Sequence, residues 1–129
     1  MNLTFRDILG FNSNSQKFFS EKMPLTCAYK LSKIQKILAD EIEFYQKKYL
    51  EIIEEYGKKD ENGKLMYSND GQVVLLKEDK ISEAQSKIDE LHNMTVDLNV
   101  EPYLLELSDF DENKKVSMEE MIGLLPFIK

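Results

Sequence analysis

The run from Leu25 to Tyr56, LTCAYKLSKIQKILADEIEFYQKKYLEIIEEY, contains neither glycine nor proline. Within it Leu31, Ile34, Leu38, Ile42, Tyr45, Tyr49, Ile52 and Tyr56 recur in steps of three or four. Such steps keep these side chains on one stripe of a 3.6-residue helix, with Glu, Lys, Asp and Gln on the far side. At ~1.5 Å per residue the helix is ~45 Å long. Ile37, Phe44 and Ile53 lie off the stripe, so a second face is available for cover. A helix with these faces wet is not stable alone and requires partner helices or a second copy of itself.

With 129 residues the chain is read as a single domain, 1–129, large enough for a real core. Apolar residues make up 42% and the formal net charge is −7, which suits a folded acidic protein. Direct nucleic-acid binding is not expected, because it needs clustered Lys and Arg to displace counterions. A protein partner with a basic surface is favoured instead. No run of about 18 apolar residues and no charged-then-apolar leader is seen, so a membrane role is not expected and the chain is read as a soluble intracellular protein. Cys27 is the single thiol and His92 the single imidazole. Cys27 reads as a small core residue, and no local spacing makes it a nucleophile paired with His92.

Taken in order, residues 1–23 read as short helical segments. Thr4 caps a turn holding Phe5, Ile8 and Leu9, with Asp7 at its third position, and Gly10 ends it. Phe18, Phe19 and Met23 form a second apolar patch. Pro24 suits the first turn of the long helix, assigned to 24–57, and Gly57 is a candidate left-handed stop. Residues 58–77 read as a β-hairpin, in which KLMY (64–67) and QVVLL (72–76) flank Ser68-Asn69-Asp70-Gly71. A second helix over 78–94 carries Ile81, Ala84, Ile88 and Leu91 on one side and runs antiparallel to the first. Residues 95–129 hold a strand and the C-terminal helix. Thr95 to Val100 alternates like a strand that can pair with the hairpin, and Tyr103–Leu107 fits either state. Ser117-Met118-Glu119-Glu120 matches a capping box opening the last helix.

Asp109, Asp111, Asn113, Ser117 and Glu120 fall at positions 1, 3, 5, 9 and 12 of a calcium-loop register. Lys114 occupies the sixth position, where the loop's turn wants glycine, and adds a positive charge beside the cation. Asp109, Asp111, Asn113 and Glu120 are therefore read as loop acids before a capped helix, and no metal or other cofactor is expected. The acids of the long helix (Asp40, Glu41, Glu43, Glu51, Glu54, Glu55) read as a solvated face relieved by Lys47 and Lys48. Tyr29, Tyr45, Tyr49 and Tyr56 lie along or near the apolar stripe, and their hydroxyls suit either an oligomer interface or the edge of a core. There is no glycine-rich phosphate loop, no Gly-x-Ser-x-Gly elbow and no His-containing metal pair.

Three stretches, KMPLTCAYKLSKIQKIL (22–38), EYGKKDENGK (55–64) and SMEEMIGLLPFIK (117–129), together resemble a family of small uncharacterised proteins encoded by phages and prophages of Gram-positive bacteria. In that family a Leu-Pro precedes an Ala-Tyr-Lys-Leu helix, a Tyr-Gly-x-x-Asp turn follows, and a Leu-x-Pro-Phe-Ile lies near the end. This sequence has Met23-Pro24 at the first of these. The family lacks a regular acid loop before its last helix, which counts further against calcium. The resemblance covers most of 16–129 and brings no catalytic residues.

The expected fold is α+β and mostly α. A long helix and a shorter antiparallel helix are joined by a β-hairpin, with a short additional strand and a C-terminal helix. The resemblance implies a non-enzymatic, phage-encoded binding protein acting on a host or phage protein, with inhibition of a host defence system as its specific form. The alternatives are a virion- or tail-assembly accessory protein and a prefoldin-like holdase. Candidate contacts are Glu43, Phe44, Lys47, Glu51 and Glu54, on neighbouring patches of the long helix, and homo-oligomerisation through that helix is a further option.

Overall fold

A computed structural model of the chain describes residues 1–16, 22–110 and 115–129. The described chain is mostly helical with one two-stranded antiparallel sheet, and it packs as two compact units. One comprises Met1–Ile42 with Thr95–Lys129, the other Glu43–Met94. Among the described residues no helix is long and apolar enough to cross a membrane.

The first unit opens with strand β1 (Asn2–Thr4), where the sequence reading expects helix. Leu3 is buried between two more exposed neighbours, an alternation too brief to register as a strand in sequence. Thr4 then caps α1 (Phe5–Asn14): its Oγ1 accepts from the Asp7 N–H at 3.2 Å, and the Asp7 carboxylate accepts from the Thr4 N–H at 3.2 Å. Contrary to expectation α1 does not stop at Gly10 but runs on to Asn14, burying Phe5, Ile8 and Phe11. The expected patch at Phe18 and Phe19 lies outside the described residues.

Helix α2 (Leu25–Tyr56) has the bounds its pattern predicts. Its residues up to Ile42 belong to the first unit, where Cys27, Leu31, Ile34 and Leu38 are buried. Each buried Leu or Ile is worth ~1.5–3 kcal/mol of transfer free energy. Helix α3 (Ile81–Asn93) belongs to the second unit, so this half of the stripe is covered within the first unit. Strand β2 (Thr95–Asp97) pairs with β1, Leu3 opposite Val96, and not with residues 64–76. Tyr103–Leu107 becomes neither strand nor α-helix: it holds a single bridge at Leu105 between two 3-10 turns, Glu101–Tyr103 and Leu107–Asp109. Helix α4 (Met118–Leu124) starts with the predicted capping box, Ser117 Oγ accepting from the Glu120 N–H at 3.1 Å and Glu120 Oε1 from the Ser117 N–H at 3.2 Å. It packs on α1, and beyond it Phe127 meets Phe11 with ring centroids 4.7 Å apart.

In the second unit α2 buries Tyr45, Ile53 and Tyr56. Ile53 thus belongs to the buried stripe and Ile52 does not, the reverse of the expectation. The buried and half-buried positions repeat every eleven residues, as Cys27/Leu38/Tyr49, Leu31/Ile42/Ile53 and Ile34/Tyr45/Tyr56. Eleven residues close three turns of a straight helix to within ~20°, so a stripe read in threes and fours has to be phased over this longer period. Gly57 does not adopt a left-handed conformation; among the described glycines only Gly63 (φ 78°) and Gly71 (φ 72°) do. A Cβ at Gly57 would collide with the Ile53 carbonyl and the Leu65 side chain, so this position needs glycine for space. Between the helices, residues 58–77 form isolated antiparallel bridges (Gly57–Leu76, Lys59–Leu65, Tyr67–Val74) in place of a regular ladder. The turn at Ser68–Gly71 does form, with the Gly71 N–H donating to the Ser68 carbonyl at 2.8 Å. A 3-10 turn, Glu78–Lys80, leads into α3, which buries Ala84 and Leu91.

Candidate functional site

The second half of α2 presents three sides in the second unit. One is buried and fixed by Tyr45, whose hydroxyl lies 2.7 Å from His92 Nε2 while the two rings stack at 5.6 Å. Tyr49 stacks on Tyr45 in turn, at 5.9 Å. Burial, and then the neighbouring Tyr49, push the Tyr45 phenol above its ordinary pKa. Burial and the Glu55 and Glu83 carboxylates do the same for Tyr56. Tyr45 meets His92 near the end of α3 and Tyr56 senses Glu83 near its start, so α3 runs back along α2. Tyr45 and Tyr56 are therefore filled by their own unit, and Tyr49 is half-buried beside them.

The other two sides face solvent. Glu43, Lys47, Glu51 and Glu54 are exposed, and Phe44 is 39% exposed with the Lys48 ammonium 5.7 Å from its ring centroid. All five residues predicted from sequence are thus exposed; Phe44, Lys47, Glu51 and Glu54 line two depressions, and Glu43 lines neither. The smaller is lined by Lys47, Leu50, Glu51, Glu54, Glu55 and Lys59 around Leu50, an exposed leucine. The larger, about 700 Å³, is an open groove walled by Phe44, Lys48, Glu51, Ile52 and Glu55 of α2 and by Lys87, Glu90, Leu91 and Asn93 of α3, with Met94. Its volume lies in the range of small-ligand and side-chain pockets. Sequence reasoning missed its second wall, because nothing local in Leu91 or Met94 says which helix they face. Ile52, misassigned to the buried stripe, was the residue pointing to it.

The chemically reactive groups lie elsewhere or are engaged. Cys27 is fully buried; loss of solvation, and then the Asp109 carboxylate, push its thiol above the ordinary range. Asp109, the first residue of the calcium-loop register, pairs with Lys30 Nζ at 2.6 Å, and its carboxylate also accepts from the Glu106 N–H at 2.8 Å. The Lys30 ammonium, and then that N–H, hold it below the usual aspartate value. Glu120 is buried in its capping box, and Asp111 and Asn113 lie outside the described residues. Among the described residues no group of three or more His, Cys, Asp or Glu is placed to hold a metal ion.

Compared with protein-family models, with curated proteins and with solved structures, the chain matches none.

Proposed function

We propose that the chain is a non-enzymatic binding protein, a phage or prophage product that engages a host or phage protein through the solvent side of the second half of α2. Inhibition of a host defence system in the bacterial cytoplasm is its specific form. The observation that carries the binding reading is the exposure of Phe44 and Leu50 on an otherwise charged helix face beside an open apolar groove. Apolar groups ringed by charge are the anatomy of a protein interface. The chemistry of the lone reactive groups points the same way. The Cys27 thiol is buried and held protonated, and the Nε2 of His92 is engaged by Tyr45, so neither stands ready as nucleophile or base. The phage origin rests on the three resembling stretches alone. The assembly-accessory alternative has one observation in its favour: Met118, Ile122 and Leu125 form an exposed apolar stripe at the end of the chain.

The test compares capture by the wild type and by a Glu43→Lys, Glu51→Lys, Glu54→Lys triple variant from phage-infected cells. The captured protein is identified by mass spectrometry and its binding repeated with purified components. The variant is expected to keep its circular dichroism and lose the partner, with wild-type association slowing as salt rises. Equal capture by both clears this face of the role. Multiple turnover of a substrate, lost on changing His92 or Cys27, would sink the binding-protein reading.

A further inference from the structure

We infer that the groove between α2 and α3 receives a three-turn amphipathic helix of the partner, its apolar side chains seated on Phe44, Ile52, Leu91 and Met94 and a basic residue set against Glu55. This rests on the binding reading above and gives it a partner chemistry.

Three observations lead there. First, both walls are α-helices, whose main-chain N–H and C=O groups are spent within the helices. Adding a strand needs unpaired backbone, so recognition here has to run through side chains, as in helix-in-groove binding. Second, the length fits. Phe44 and Glu55 mark the span of the groove along α2, and eleven residues at ~1.5 Å each give ~16 Å, three turns of a helix. Anchors at i, i+4 and i+7 of the incoming helix cover about 10 Å of that distance, and a charged residue at i+11 reaches its far end at Glu55.

Third, the rim charges are not equivalent. Lys48 is paired with Glu51 at 3.2 Å, and Lys87 with Glu90 at 3.8 Å, each within its own helix. Among the described residues the Glu55 carboxylate has no cation at ion-pair distance; Lys77 Nζ donates to its backbone carbonyl instead, at 3.3 Å. Residues 43–94 carry twelve carboxylates against eight lysines, so the field around the groove is also negative. A lysine or arginine over Glu55 therefore meets a carboxylate that is free to pair, and an acidic residue there meets repulsion.

The six methionines supply the readout. In full-length protein carrying 13C-methyl methionine, Met94 reports on the groove, Met118 on the exposed face of α4, and Met66 on the bridged segment. The probes are twelve-residue helical peptides with Leu at i, i+4 and i+7, tipped with Arg or with Glu, and a scrambled control. The Arg-tipped peptide is expected to shift Met94 and leave Met118 and Met66 in place, and to bind about two- to five-fold tighter than the Glu-tipped one. Glu55→Arg should reverse that order while keeping the fold, since residue 55 is exposed. No shift at Met94, a shift at Met118 alone, or equal binding of the two tips would each overturn the proposal. So would a Met94 shift that follows the protein's own concentration with dimerisation in sedimentation, which makes a second copy the occupant. If the triple variant loses its partner but Met94 never moves with peptide, the binding reading stands and the helix-in-groove mode falls.

Discussion

Gly123 of α4 packs its bare Cα onto the backbone of α1 at Gly10. A Cβ at Gly123 would stand 2.9 Å from the Gly10 carbonyl oxygen and 2.8 Å from the Asn14 Cβ. The glycine that matters for this contact is thus the one on α4. Gly10 itself has open space where its side chain would be. Gly123→Ala should destabilise by ~1–3 kcal/mol, because the two helices have to separate. Gly10→Ala should instead stabilise by ~0.5–1 kcal/mol, through helix propensity alone. Denaturant titration of the two variants checks the pair, and equal effects would refute the close approach of α1 and α4.

Asp109 gives the first unit an acid limit. Its carboxyl is held below the ordinary aspartate value, first by Lys30. A depressed native pKa means the contribution is complete above the unfolded value of ~4 and is lost as pH falls through the native one. Asp109→Asn should cost ~1–3 kcal/mol at neutral pH and flatten the stability profile below pH ~4. Urea midpoints measured from pH 7 down to pH 2 read both effects; an unchanged acid limb would assign it to other carboxylates.

Cys27 should be silent to thiol reagents in the native protein. It is fully buried and its thiol is pushed up by burial, so both access and the thiolate fraction are low. Reaction with a chromogenic disulfide at pH 8 is expected only as fast as the first unit opens, and at full rate in denaturant. Rapid stoichiometric labelling without denaturant would contradict this placement.

The elements that could be read from the sequence were those written in local chemistry. Leu25–Tyr56 is legible because a periodic stripe runs through it unbroken, and the two capping boxes because Thr4 with Asp7 and Ser117 with Glu120 sit three apart. Strand β1 was not, since three residues carry no period. Glycine was the least reliable sign. Gly57 and Gly123 need bare space while Gly10 needs neither that nor a special φ, and only the packed neighbours tell them apart. The exposure of Phe44 and its charged neighbours on α2 was legible in the sequence. The groove beside it was not, because Leu91 and Met94 join Ile52 only through tertiary packing.

The contact between Tyr45 and His92 should hold α3 to α2 within the second unit. The hydroxyl and Nε2 are 2.7 Å apart and the rings stack, so the pair combines a hydrogen bond with aromatic contact. Tyr45→Phe keeps the ring and removes the bond, leaving a half-buried imidazole nitrogen unsatisfied, at ~1–2 kcal/mol. His92→Ala loses both, and the double variant should cost less than the sum of the singles, by ~0.5–1.5 kcal/mol. The alkaline limb follows with its own sign. Burial raises the Tyr45 phenol above 10, so its contribution is complete at neutral pH and is lost as pH climbs past 10. Hydrogen exchange of the α3 amides should accelerate in each single variant; additive effects in the cycle would mean the two rings merely share a neighbourhood.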